Sequence, residues 1–198
     1  MEENSRQKAI ASARELMMSK GKDGVRMQEI ADHAGVNKGL LHYYFKSKDT
    51  LFKEVFLGEV KKVYGDLNVI LESQDAMESK LAGIIDRYFE LLFDNPKLPS
   101  FVMFEVNKNP KLVHEMADQD VLQSTIILLD AEFKRNGIIS SPSFAFQVIL
   151  NIISMCVFPF MMRPMVEEMS KKSNKSFEQI MAERKDFLKT VVISSFRT

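Results

Sequence analysis

The stretch MQEIADHAGVNKGLLHYYFKSKDTL, residues 27–51, decides how this chain folds. It reads as a helix, a tight turn, a second helix and the start of a third. A helix-turn-helix needs a small residue in its first helix where the second crosses it, a residue tolerant of positive φ in the turn, and apolar anchors on both sides. Ala31 is the small residue, Gly35 is the turn, and Ile30, Ala34, Val36, Leu41 and Tyr44 are the anchors. With Leu41, Tyr44 and Phe45 facing inward, the second helix carries Lys38, Gly39, Leu40, His42 and Tyr43 outward, a face that suits a DNA major groove.

Helical periodicity continues on both sides of this segment, and no alternating strand of useful length appears, so the expected fold class is all-α. A first helix is predicted over residues 5–19, with Ile10, Ala13, Leu16 and Met17 on one face and Gly21 and Gly24 ending it. The helix after the motif starts near Ser47, whose side chain can cap it, with Asp49 in the first turn where a negative charge suits the helix dipole. It runs past Leu67 without a stop and so would join the N-terminal module rigidly to the rest. Further helices are predicted over residues 77–93, 100–107, 110–116 and 119–135, the last closed by Asn136-Gly137. Pro142 opens a long apolar helix over 143–169 that Pro159 and Pro164 should kink, and a final helix covers 176–196. The expected division is a helix-turn-helix domain over residues 1–50 and a larger helical domain over 51–198.

Composition narrows the class further. With 27 Lys and Arg against 27 Asp and Glu, the chain is no polycation that coats nucleic acid indiscriminately, and the distribution carries the signal instead. Basic residues exceed acidic ones by roughly three across residues 1–62, and the remainder compensates. A single cysteine, Cys156, permits no intrachain disulfide or thiol-rich metal site, and the N-terminus lacks a secretory pattern, so a cytoplasmic location is expected. The apolar run from Phe144 has the length of a membrane span, but Gln147, Asn151, Ser154 and Pro159 interrupt it; it is read as a buried helix, with no membrane association. His33, His42 and His114 have no metal-like spacing, and no nucleophile elbow, phosphate-binding glycine loop or catalytic carboxylate pair is present. Neither an enzyme, a metal nor a cofactor is expected.

The segment resembles the TetR family of bacterial transcriptional regulators. The resemblance lies in Ile30-Ala31, Ala34-Gly35-Val36, Asn37, Lys38-Gly39, Tyr43-Tyr44-Phe45 and Lys46 to Asp49, within residues 9–56; beyond residue 60 it is one of layout, with FPFMMRP near the end of the penultimate long helix. Two departures stand out. The Thr or Ser that often precedes helix 2 is replaced by Gly24-Val25-Arg26-Met27, so Arg26 or Gln28 would have to supply its phosphate contact. A hydroxyl residue is frequent where Leu40 stands, and Tyr where His42 stands.

These observations assign candidate roles. Lys38 can reach guanine or a phosphate, Leu40 a thymine methyl unless it is buried against helix 1, and His42 and Tyr43 base edges or phosphates. Lys48 can join the positive end of the following helix in holding a phosphate. Gly39 either lets backbone approach DNA or tolerates the turn. With Arg26, Gln28 and Asn37 these form the DNA-binding set. The resemblance implies a cavity for a small apolar or amphipathic effector, for which Tyr64, Phe89, Phe101, Phe104, Glu105, Met155, Phe158 and Met162 are candidate lining residues, although many of the Phe and Met must simply be core. It also implies a homodimer, formed by the last two long helices, that represses by binding a pseudo-palindromic double-stranded operator and is released by effector. The alternative is a protein-interaction or lipid-carrier protein with a vestigial helix-turn-helix; Lys38, Tyr43 and Lys48 together argue against it, since a vestigial motif has no physical need for them.

Overall fold

The computed structural model describes residues 2–117 and 120–196, and among them there is no β-strand. The helices are α1 (Glu2–Lys20), α2 (Met27–Ala34), α3 (Lys38–Phe45), α4 (Lys48–Glu72), α5 (Met77–Asp94), α6 (Leu98–Lys108), α7 (Lys111–Ala117), α8 (Val121–Arg135), α9 (Pro142–Met161), α10 (Arg163–Ser170) and α11 (Phe177–Ser194). The start expected for α8 at Gln119 lies outside the described residues.

The chain forms two compact units, one of residues 1–62 with 100–118 and the other of 63–99 with 119–198. The boundary expected at residue 50 falls inside α4, which contributes to both units. The first unit is thus discontinuous in sequence: it takes α6 from Ser100 onward, and α7, as well as the N-terminal helices.

Local chemistry sets the helix ends. Gly35 closes α2 at φ 66°, with Val36 N–H donating to Ala31 C=O at 3.0 Å and Gly35 N–H to Asp32 C=O at 3.2 Å, the paired bonds of a Schellman motif. Ser47 caps α4 by accepting Thr50 N–H at 3.1 Å. Ser176 and Gln179 form a reciprocal capping box at the start of α11.

The second unit holds the larger core, in which Leu81, Ile84, Ile85 and Phe89 of α5 meet Leu129 and Phe133 of α8, Ile149, Ile152 and Cys156 of α9, and Met181 and Leu188 of α11. A buried ion pair crosses it: Lys80 Nζ donates to Glu132 at 2.8 Å and to the Leu71 carbonyl, near the end of α4, at 2.9 Å. The single helix expected over 143–169 is two, separated at Met162. Pro164 sits in the first turn of α10, where a missing N–H costs little, so it starts a helix instead of kinking one. Pro159 does lie inside α9 and deprives the Met155 carbonyl of its helical donor. The Arg184 guanidinium of α11 replaces that donor, with Nε at 3.1 Å and Nη2 at 2.9 Å from the Met155 oxygen.

By length and composition α9 could cross a membrane, and 39% of its most apolar window is buried within the chain. Ala145, Ile149, Ile152 and Cys156 face the core, while Phe144, Phe146, Leu150 and Phe158 stay exposed. Burial pushes the Cys156 thiol up to about 12, which keeps it protonated and unreactive.

Candidate nucleic-acid interface

The first unit presents α3 on a base of buried anchors. Ala9, Ala13, Met17, Ile30, Ala31, Leu41 and Phe45 are fully or almost fully buried. Arg6 lies 5.3 Å from the Phe45 ring centre and pairs with Glu54, and Arg14 grips Glu59 with two bonds of 2.6 and 3.0 Å, tying α1 to α4. Tyr44, expected to face inward, is only half-buried and meets Tyr43 edge to face. α6 adds a second brace: Phe101 packs edge-on against Phe52 at 6.0 Å, and the buried Glu105 accepts the Lys22 N–H at 3.3 Å.

From this base Lys38, His42 and Tyr43 are exposed, Tyr43 by 76%, and among the described residues no carboxylate pairs with Lys38. A largely solvated tyrosine ring on a well-anchored helix is apolar surface that, apart from the edge contact with Tyr44, its own unit leaves open. Asn37 is the N-cap of α3, its Oδ1 accepting Leu40 N–H at 2.7 Å, which leaves its amide N–H groups for other partners. The glycine at 39 has a local reason: a Cβ there would stand 3.3 Å from that cap oxygen. Leu40 is half-buried, so part of its side chain packs and part remains accessible.

Arg26 occupies the N-cap position of α2 in an extended conformation with no side-chain cap, consistent with the missing Ser or Thr, and its side chain is exposed. Gln28, also exposed, donates to Asp32 at 2.7 Å. Lys48 is half-buried and donates to the Val25 carbonyl at 3.0 Å, so it locks the start of α4 to the residue before Arg26, and its other two ammonium hydrogens remain. Two acidic groups nearby are paired with lysines. A hydrogen bond from Lys108 holds the Asp23 carboxyl below its usual range, and one from Lys20 does so for Glu29.

Sequence reasoning missed Lys46. Its backbone sits at φ 56°, ψ −43°, and Ser47 N–H donates across it to the Phe45 carbonyl at 2.5 Å. This is a γ-turn with positive φ at its centre, the strained form. It reverses the chain between α3 and α4 in two residues, and its carbonyl lies 3.3 Å from His42 Nδ1. The available signal was the short gap: Lys46 and Ser47 alone must connect two capped helices.

The candidate effector residues are dispersed between the units. Phe101, Phe104 and Glu105 belong to the first, where Phe101 and Glu105 brace the helix-turn-helix and Phe104 is exposed with Lys108 over its ring. In the second unit Tyr64 and Met155 are half-buried against the core that contains Phe89, whereas Phe158 and Met162 are exposed on α9 and just beyond it. Tyr88, not singled out by the sequence, is buried beside Tyr64 and Cys156; burial first, then these two neighbours, pushes its hydroxyl well above the usual range. Burial also raises Tyr64.

Comparison with known proteins fits this geometry. Residues 9–55 match the model of bacterial regulatory proteins of the tetR family. A segment of 87 residues is 28% identical to the HTH-type transcriptional repressor KstR2 of Mycolicibacterium smegmatis, covering 44% of this chain and 42% of that protein. A segment of 88 residues is 30% identical to the biofilm operon icaADBC HTH-type negative transcriptional regulator IcaR of Staphylococcus aureus, covering 44% of this chain and 45% of that one. These alignments therefore span less than half the length of either relative. The crystal structure of the transcriptional regulator FadR from Bacillus subtilis in complex with stearoyl-CoA superposes with a TM-score of 0.68 at 19% identity, over 92% of this chain and 97% of the other. Residues 9–55 thus carry the helix-turn-helix of the tetR family of bacterial regulatory proteins, and the chain as a whole has the all-helical fold of the FadR structure.

Proposed function

We propose that this chain is a DNA-binding transcriptional repressor that acts as a homodimer and is released from DNA by a small amphipathic effector. The observation that carries the reading is the exposed face of α3, where Lys38, His42 and Tyr43 stand uncovered on a helix whose other face is fixed by Leu41 and Phe45. DNA reading is assigned to residues 1–50, with Arg26, Gln28, Asn37, Gly39, Leu40 and Lys48 around that face, and effector binding and dimerisation to residues 51–198. Such a protein works in the cytoplasm and performs no chemistry on its ligand. Two relatives named as a repressor and a negative regulator support the sign of regulation.

The dimer is assigned to α9 and α11. Of the apolar residues on α11, Phe177, Leu188 and Val192 are used within the unit's own core, but Phe187, 62% exposed, and Val191 remain at least partly exposed, as do Phe146, Leu150 and Phe158 on α9. An apolar face of this kind supports a self-complementary two-fold contact. The effector class is supported by the stearoyl-CoA held by a protein of the same fold and by the apolar cluster around Tyr64, Phe89 and Met155, where Tyr88 adds a protonated hydroxyl. Effector would bind the DNA-released state more tightly, so ligand and operator weaken each other by the same factor.

Selection of bound duplexes from random DNA tests the reading. The expected product is an inverted repeat with half-sites about one helical turn apart, bound less tightly as salt rises because phosphates are neutralised. Enrichment of no inverted repeat would overturn it.

A further inference from the structure

The recognition helix carries an imidazole whose two nitrogens are made unequal by the fold. His42 Nδ1 lies 3.3 Å from the Lys46 carbonyl oxygen, which can only accept, so the contact requires a proton on Nδ1. Nε2 is then the free nitrogen on an exposed side chain. In the neutral ring Nε2 is an acceptor and repels phosphate oxygens and guanine N7 and O6. In the imidazolium it is a charged donor that binds them. Imidazoles as a class change charge between about pH 5 and 8.

The surroundings leave the positive state to be stabilised from outside the protein. α3 contains no acidic residue, and Lys38 and Lys46 stand one turn on either side of His42. On α2, Glu29 is taken by Lys20, Asp32 accepts from Gln28, and His33 faces Glu15 of α1. Arg6 and Arg14 of α1 pair with Glu54 and Glu59, and Asp49 at the start of α4 pairs with Lys22. No described carboxylate is paired with His42, and Lys38 and Lys46 flank it. DNA brings acceptors and negative charge to this face.

We propose that operator binding is proton-linked through His42, whose Nε2–H, present only in the imidazolium, donates to an acceptor on DNA while the Lys46 carbonyl holds Nδ1. The inference rests on the DNA-binding reading above. It makes the γ-turn at Lys46 a positioning element for base or phosphate contact, and it makes DNA affinity rise as pH falls.

The test uses the full chain and the duplex enriched by selection, with binding followed by fluorescence anisotropy from about pH 8.5 to about pH 5.5 at constant ionic strength. Wild type is expected to bind more tightly as pH falls, approaching about tenfold per unit for each His42 that takes up a proton, and so up to about a hundredfold per unit for a dimer on both half-sites. His42→Gln, which keeps a neutral polar side chain, should bind with a flat profile, and calorimetry in buffers of different ionisation enthalpy should show proton uptake for wild type only. His33 and His114 are common to both proteins, so the difference isolates His42. A phosphate acceptor would give the same His42-dependent slope on a random-sequence duplex, and a guanine edge would confine it to the enriched one; either supports the linkage. Tight binding with identical pH profiles for wild type and His42→Gln overturns the linkage and leaves the regulator reading standing. Absence of DNA binding at every pH overturns both.

Discussion

Removing Arg184 should damage the protein only because Pro159 is where it is. In an unbroken helix the Met155 carbonyl would accept the N–H of residue 159; proline has none, and Arg184 supplies two bonds in its place, at 3.1 and 2.9 Å. Arg184→Met keeps most of the apolar stem and removes the donors. Hydrogen bonds to charged groups are worth about 1.5–3 kcal/mol. For a chain of this size each kcal/mol is about 2–4 °C in Tm, so the midpoint should fall by several degrees. Pro159→Ala restores the backbone donor and relieves the interior proline cost of about 3 kcal/mol, against the loss of a buried ring. In that background Arg184→Met should cost at least about 1 kcal/mol less, a coupling within the range seen for residues that share a partner. Urea unfolding of all four proteins at one protein concentration measures the cycle. Costs that add to within about 0.5 kcal/mol would refute the substitution of one donor for the other.

Other expectations follow from single sites. Lys46→Gly should stabilise the fold by about 1 kcal/mol, because relief of a strained positive φ, about 1–3 kcal/mol, exceeds the added chain entropy of glycine, about 0.5–1 kcal/mol; thermal unfolding checks it, and a destabilised variant refutes the strain. Lys80→Met should cost about 3 kcal/mol, since it leaves the buried Glu132 carboxylate and the Leu71 carbonyl without Nζ, and Glu132→Gln in that background should recover part of the loss in a urea titration. Lys134 and Ser140 hold the Asp130 carboxyl below its usual range, so its contribution is full above about pH 4, the value of an unfolded aspartate, and fades as acid passes through the lower folded value. The stability gap between wild type and Asp130→Asn should accordingly shrink on acidification; a gap that widens contradicts the sign. Position-by-position binding to operator variants should show Tyr43→Ala relaxing preference at particular bases and Lys48→Ala weakening all sequences alike.

The parts of the molecule written in local chemistry were readable from the sequence. Gly35, Ser47, Gly137 and Ser176 mark helix ends by their own backbone or hydroxyl, and the apolar spacing of Ile30, Ala31, Leu41 and Phe45 fixed which face of α3 is free. What was not readable depends on partners far along the chain. Nothing near the proline at 159 announces Arg184, 25 residues later, which supplies the donor that the proline removes. Phe101 and Glu105 were singled out by residue type alone; their neighbours Phe52 and Lys22 are set by how α6 lies, which periodicity does not encode. The turn at Lys46 was hidden because lysine rarely adopts positive φ, so residue type pointed away from the backbone geometry.

The discontinuity of the first unit has a consequence for how the protein is made. Its helix-turn-helix is complete once residue 62 is synthesised, yet Phe101 and Glu105 arrive only after residues 63–99 have been added. At a translation rate of about 5–20 residues per second, Phe52 and Phe56 wait seconds for their aromatic partner on the nascent chain. During that interval the half-built module presents sticky aromatic surface to whatever surrounds the ribosome. A gene fusion that transplants residues 1–62 alone would make this transient condition permanent, so a transferable helix-turn-helix module has to carry the later helices with it.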